Sequence, residues 1–217
     1  MGRFKNESNN AAVEQGVFDL ILEHISACCE TMRYDCRKTG ELLYNHENKI
    51  SNRLVERYLD MNAIGLRFIL EKTVHYDPNT DTLKGRTDIA VFSSDTLADR
   101  KAYYSIECKR LNGRPGLNKK YVLEGVSRFV TPPSPIYHSY YGKNIMLGYI
   151  VKAMNVCENT EKIERFQREL LCGVKVGKMD FECEKNGFSR YKCFYRADGN
   201  LHVELTHLFY DFSGAMQ

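Results

Sequence analysis

Three ionisable residues stand where the chain should be apolar. In GRTDIAVF (residues 85–92) Asp88 opens an apolar run, and in AYYSIECKRL (102–111) Glu107 and Lys109 lie within one. A buried charge without a partner costs several kcal/mol, roughly, so something must compensate all three. Successive strand side chains point to opposite faces. Glu107 and Lys109 therefore share a face with Ser105, and Ile106 and Cys108 share the other. If the two runs are neighbours in a meander, Asp88 comes beside Glu107. Two carboxylates held a few ångströms apart repel unless a cation lies between them. Mg²⁺ takes a small number of carboxylates, waters and phosphate oxygens. A lysine beside the ion can orient or help deprotonate a water, or stabilise charge developing on phosphorus. The chemistry so implied is metal-assisted hydrolysis of a phosphate ester. The plainer reading is a surface strand with an ordinary Glu–Lys pair. An ordinary surface strand alternates, however, and Tyr103, Tyr104, Ile106 and Cys108 put apolar groups on both faces. An accidental Glu-x-Lys in an unrelated α/β enzyme is a further reading, supported if the two carboxylates lie more than about 8 Å apart, too far to share one Mg²⁺.

The elements that must position these residues follow from periodicity. Residues 1–10 read as a disordered tail, with little to bury. Val17, Leu20, Ile21, Leu22 and Ile25 recur at helical spacing and predict a helix from about 13 to 32. CRKTGELLYNHEN, which follows, carries no clear assignment. A second helix is expected over about 51–62, with Ile50, Leu54, Val55, Tyr58, Leu59 and Met61 as its apolar arc. LRFILEKTVHY reads as a strand and YDPNTDTLKG as a turn-rich connection. RTDIAVF and AYYSIECKRL are the next strands, joined by the polar SSDTLADRK. A third helix fits 118–130 with Asn118 as N-cap, ended by TPPSP. NIMLGYIVKAM begins as a strand buried on both faces. Residues 160–171 read as helix, and the C-terminus as a hairpin about Asp198-Gly199.

Helix, three strands, helix, strand is the order of elements around Asp88 and Glu107-Cys108-Lys109. In that order and with that motif the chain resembles the PD-(D/E)xK nuclease superfamily, over roughly residues 51–151. The resemblance implies an α/β fold with a restriction-endonuclease-like αβββαβ core, a central mixed sheet flanked by helices. An N-terminal helix and a C-terminal hairpin lie outside it, in a single nuclease-like domain over residues 11–217. It further implies Asp88 and Glu107 as metal ligands, Lys109 as the catalytic lysine, and Mg²⁺ as cofactor, with Mn²⁺ able to substitute. Many members add a glutamate from the preceding helix, and Glu56 in SNRLVERYLD holds that place. Thr87 stands where the motif has proline. The expected activity is a metal-dependent DNA endonuclease, DNA being preferred to RNA. The alternative is a catalytically silent nuclease-fold module that binds nucleic acid or regulates.

The gross composition is compatible with this. The chain has 217 residues, 43% hydrophobic and 27% charged, and a net charge of only +3. Eight basic residues stand against three acidic ones between Asp99 and Arg128, a balance suited to a polyanion. Arg110 and Arg114, beside Gly113 and Gly116, are expected phosphate contacts, and Lys119 or Lys120 joins them by analogy with the superfamily. The stripe Lys120, Glu124, Arg128 also fits an ion-paired solvent face. Its eight cysteines form no C-x-x-C pair, so free thiols are expected rather than a zinc site or disulfides. His202 and His207 read as surface or partly satisfied strand residues. No run is long and apolar enough for a membrane span, and no signal-like segment opens the chain. A cytoplasmic protein is expected, and a homodimer would suit a double-strand cut.

Overall fold

The computed structural model describes residues 7–77, 81–93, 102–131, 135–137, 141–197 and 201–217. A long helix, α1 (Glu7–Thr39), is followed by α2 (Glu47–Leu54), which runs on through a π-helical turn at Val55–Leu59. Next come β1 (Arg67–Leu70), β2 (Thr73–Asp77), β3 (Thr82–Arg86), β4 (Ile89–Phe92) and β5 (Tyr103–Leu111). The third helical segment is α3 (Pro115–Tyr121), a π-helical turn at Val122–Val126, and α4 (Ser127–Val130). After it follow β6 (Lys143–Ile150), α5 (Val156–Leu170), β7 (Val174–Val176), β8 (Asp180–Lys185), β9 (Phe188–Ala197) and β10 (Leu201–Asp211).

The architecture is mixed α/β, a central mixed sheet flanked by helices. Strands run in the order β1-β4-β5-β6-β10-β9-β7, with β8 also on β9. The pairs β1–β4, β4–β5 and β10–β9 are antiparallel, whereas β5–β6 and β6–β10 are parallel. Each face of the sheet is sealed by its own apolar cluster. On one, α1 lays down Phe18, Ile21, Leu22, Ile25, Cys29, Met32 and Cys36 against Ile106, Cys108 and Leu147. Their spacing of three, four and seven is the helical stripe that a sheet can cover. On the other face, Tyr121, Val122 and Val126 meet Ile163, Met146 and Phe209. Strand β5 is thus covered on both sides, as its uninterrupted apolar content requires.

Several expectations are corrected. Helix α1 begins at Glu7, so residues 7–10 are helical rather than a tail; once its stripe is anchored, adding polar residues to the end needs no new nucleus. Residues 1–6 lie outside the described residues. LRFILEKTVHY is not one strand: Glu71 has φ 53 and ends β1, and the chain leaves the sheet as the two-stranded β2–β3 ribbon. The third helix starts at Pro115, with Arg114 in the extended N-cap conformation. Proline at that first position loses no hydrogen bond, and Asn118 is instead buried, donating to Asn159 Oδ1 at 2.7 Å. The C-terminal hairpin is no appendage, because Glu204 to Asp211 of β10 pair with the whole of β6, Lys143 to Ile150. The links at 94–101, 132–134 and 198–200, including Asp198-Gly199, lie outside the described residues. Among the described residues no helix is long and apolar enough to cross a membrane.

Gly148 marks a tight place beside the charged strand. It pairs with Lys109 across β5–β6, and a Cβ there would lie 2.6 Å from Phe209 Cδ1 and 2.9 Å from Leu111 Cδ1. Gly148→Ala is expected to lower stability by about 1–3 kcal/mol through overpacking. Urea unfolding measures it; an unchanged midpoint would contradict the tight packing.

Candidate active site

The local register decides where the charges go. Strand β4 begins at Ile89, opposite Ile106, whereas β5 continues five residues further with only β6 beside it. The amides on its other edge would be left without acceptors, which is costly. Two carboxylates supply them. Asp88 Oδ2 accepts from Cys108 N at 2.7 Å, and Glu47 Oε2 accepts from Arg110 N at 3.2 Å. Thr87, in the place of the motif's proline, is buried and donates toward the carbonyls of Ile89 and Ile106, each at 3.2 Å. Asp88 is therefore held by the very divergence of the two strands.

Lys109 collects these groups. Its ammonium donates to Glu107 Oε1 at 2.7 Å, to Cys108 O at 2.8 Å and to Glu47 Oε1 at 3.1 Å, which engages all three of its protons. Asp88 Oδ2 stands 3.7 Å from the same nitrogen. Glu107 is fully buried, and it is clamped on both oxygens. Arg128 reaches Oε1 at 3.3 Å, and the Tyr137 hydroxyl lies 2.8 Å from Oε2. That hydroxyl also approaches Arg86 O, at 2.5 Å, and receives a hydrogen bond from Arg128. Gly85, with φ +72, lets the segment carrying Tyr137 come close: a Cβ there would meet Ile136 Cγ2 at 2.5 Å. Gly125, in the π-helical turn, lies against Met146 and the Lys109 stem.

Electrostatics follow from burial. Burial, with Asp88 adding to it, pushes the Glu107 carboxyl up to about 7 against the pull of Lys109 and Arg128. Burial disfavours the Lys109 ammonium, but Glu107, Asp88 and Glu47 outweigh it and raise its pKa. Three carboxylates thus face one lysine and one arginine, an excess of negative charge. An open cleft of about 610 Å³ is lined by Glu47, Asp88, Lys109, Arg86, Glu124 and Arg128, and Glu107 lies buried behind Lys109.

No protein-family model, curated protein or solved structure matches the chain. Geometry and chemistry alone carry the reading.

Asp88, Glu107 and Lys109 are brought together; Glu56 is not. It lies on the exposed side of the π-helical turn whose Val55 and Leu59 enter the core. Glu47, nine residues earlier, contributes the helix carboxylate instead. It opens α2, where the positive end of the helix favours an acidic side chain. Ile50 and Leu54, both buried, already imply a start before residue 51, and Glu47 is the acidic first-turn residue of that longer helix. Arg110 donates to Asn45, and Lys120 lines the adjoining part of the cleft with Arg110 and Glu124. Arg114 is exposed at the start of α3. Lys119 lies 5.5 Å over the Phe166 ring, toward α5. The stripe Lys120, Glu124, Arg128 faces the cleft, with Arg128 spent on Glu107 and Tyr137 rather than on a solvent ion pair. The eight cysteines are free.

Among the described residues no three His, Cys, Asp or Glu side chains are arranged to hold a metal ion by themselves. The Lys109 ammonium takes the central place among the carboxylates. The donor chemistry nevertheless fits Mg²⁺ or Mn²⁺. All three groups are hard oxygen donors under-neutralised by the cations present, and Mg²⁺ needs only one or two of them with waters.

Proposed function

We propose that the cleft hydrolyses phosphodiester bonds of nucleic acid, DNA in particular, with Mg²⁺ or Mn²⁺. The observation that carries the reading is the meeting of Glu47, Asp88 and Glu107 about Lys109, where β4 parts from β5. The order α2, β1–β4–β5, α3–α4, β6, with β6 parallel to β5, supports a restriction-endonuclease-like core of the PD-(D/E)xK kind.

In this reading Asp88 and Glu107 supply the oxygen ligands, and Glu47 is the helix carboxylate. When bound, the cation polarises the phosphoryl group and lowers the pKa of a water. Lys109, held charged by its neighbours, turns from the carboxylates to the scissile phosphate or its attacking water. Tyr137 and Arg128 keep Glu107 aimed. Arg86 and Lys120 on the cleft walls, and exposed Arg114, attract the backbone.

Incubating the protein with supercoiled, linear and single-stranded DNA, and with RNA, in Mg²⁺, Mn²⁺ or EDTA tests this. Cleavage is expected with either ion and not in EDTA. Glu107→Gln and Glu47→Gln should each reduce it by at least about a hundredfold. Glu56→Gln, tested alongside, decides between the two helix glutamates. Full activity in Glu107→Gln would overturn the site. Binding without cutting under any ion would establish the silent module instead.

A further inference from the structure

A second groove lies on the other face of the sheet, at the Lys143 end of β6, far along the strand from Gly148 and Lys109. Three basic residues stand side by side there. Lys175 pairs with Arg196 across β7–β9, and Arg196 pairs with His202 across β9–β10. All three are exposed, while their neighbours Val176, Tyr195 and Val203 turn to the opposite face and its core. Lys175 and Arg196 are like charges directly opposite one another, which destabilises a sheet. Among the described residues none of the three has an ion-pair partner, and the one carboxylate lining the groove, Glu204, is held by Lys192. The carboxylates that reach β9 are taken up elsewhere. Glu182 holds Arg190 at 2.8 Å and Lys192 at 3.2 Å, and Glu204 holds Lys192 at 3.4 Å.

Beside the row, on the same face of β9, Phe194 is 54% exposed. Its backbone is pinned: Gly177 N donates to Phe194 O at 2.8 Å, and a Cβ on Gly177 would lie 2.8 Å from that oxygen. The row, Phe194 and Gly177 line an open groove of about 430 Å³. A cationic row beside an uncovered ring matches an anion joined to a planar group. Lysine and arginine suit phosphate oxygens, and an aromatic face suits any base.

We propose that this groove binds a nucleotide unit, its phosphate on Lys175, Arg196 and His202 and its base on Phe194. The unit is either a free nucleotide or part of a single strand, and the chemistry is the same. The assignment is independent of the reaction in the cleft.

Binding is measured on the full chain in EDTA, with a 3′-labelled oligo-dT by anisotropy and with AMP by calorimetry. At least one of the two is expected to bind, AMP indicating a free nucleotide and oligo-dT alone a strand. Lys175→Glu with Arg196→Glu should weaken it by about a hundredfold, and Phe194→Ala by about tenfold. Both sets are exposed, so unfolding midpoints should stay at the wild-type value. Arg114→Glu with Lys120→Glu, which remove cations proposed to attract nucleic acid to the cleft, should leave this binding intact, which separates it from the cleft. No binding of either probe, or affinity unmoved by the charge reversals, would overturn the proposal.

Discussion

Lys109→Met is expected to abolish the proposed cleavage and to destabilise the fold by about 3 kcal/mol at pH 8, the cost of leaving a buried carboxylate without its main partner. Methionine keeps the length of the stem, so the loss is that of the ammonium and not of packing. Glu107 retains Arg128 and Tyr137 but loses its closest cation, at 2.7 Å. Its carboxyl, already pushed up to about 7 by burial and Asp88, must rise further. A carboxyl whose folded pKa lies above its unfolded value binds a proton that the unfolded chain has released. Stability therefore falls as pH rises above the unfolded value of about 4.3, and levels off above the folded pKa. The deficit of Lys109→Met should accordingly be small near pH 5 and largest above pH 8. Mg²⁺ should restore part of it at pH 8 by taking up the uncompensated charge. Urea unfolding at both pH values, with and without Mg²⁺, reads all of this. A deficit equal at pH 5 and pH 8 would refute the buried-charge account.

Acid should unfold the protein through His207. This residue, expected as a surface or partly satisfied strand residue, is instead fully buried with both ring nitrogens bonded. Its two ring nitrogens meet the hydroxyls of Tyr121, at 2.8 Å, and Tyr195, at 3.1 Å. Tyr195 donates to Gln167 Oε1 at 3.0 Å, so its oxygen accepts from His207 Nε2 and Tyr121 donates to Nδ1. That assignment, fixed by the network, is a neutral ring. Burial pushes its pKa down to about 3. The unfolded chain binds the proton near pH 6.5, while the folded chain refuses it until about pH 3. Stability is thus full above pH 6.5 and is lost as pH falls from there, by up to about 1.4 kcal/mol per unit. His207→Gln should be less stable than wild type at pH 8 and show a flatter acid limb, the two curves converging near pH 4. Parallel acid limbs would sink this role for His207.

Much of the site was legible because it breaks the rules of a strand. Charges in an otherwise apolar β5, and an aspartate at the head of β4, need a partner whatever the fold, and alternation puts Glu107 and Lys109 on one face. The helix carboxylate was harder. Glu56 lies near the apolar arc of α2, but the π-helical turn at Val55–Leu59 shifts the later residues around the axis and leaves it exposed. Glu47 sits in a polar stretch without periodicity, and its partner Lys109 is 62 residues away. Tyr137 and Arg128 were invisible as partners of Glu107 for the same reason.

By itself the sequence determined the alternation of helices and strands, the two-sided burial of β5 and β6, and the shared face of Glu107 and Lys109. These depend on local periodicity. The tertiary structure alone decided that β10 joins β6, that the β2–β3 ribbon leaves the sheet, that His207 is sealed in, and that Glu47 rather than Glu56 reaches Lys109. Each depends on the register of segments distant in the chain, where packing and the satisfaction of buried polar groups outweigh any local preference.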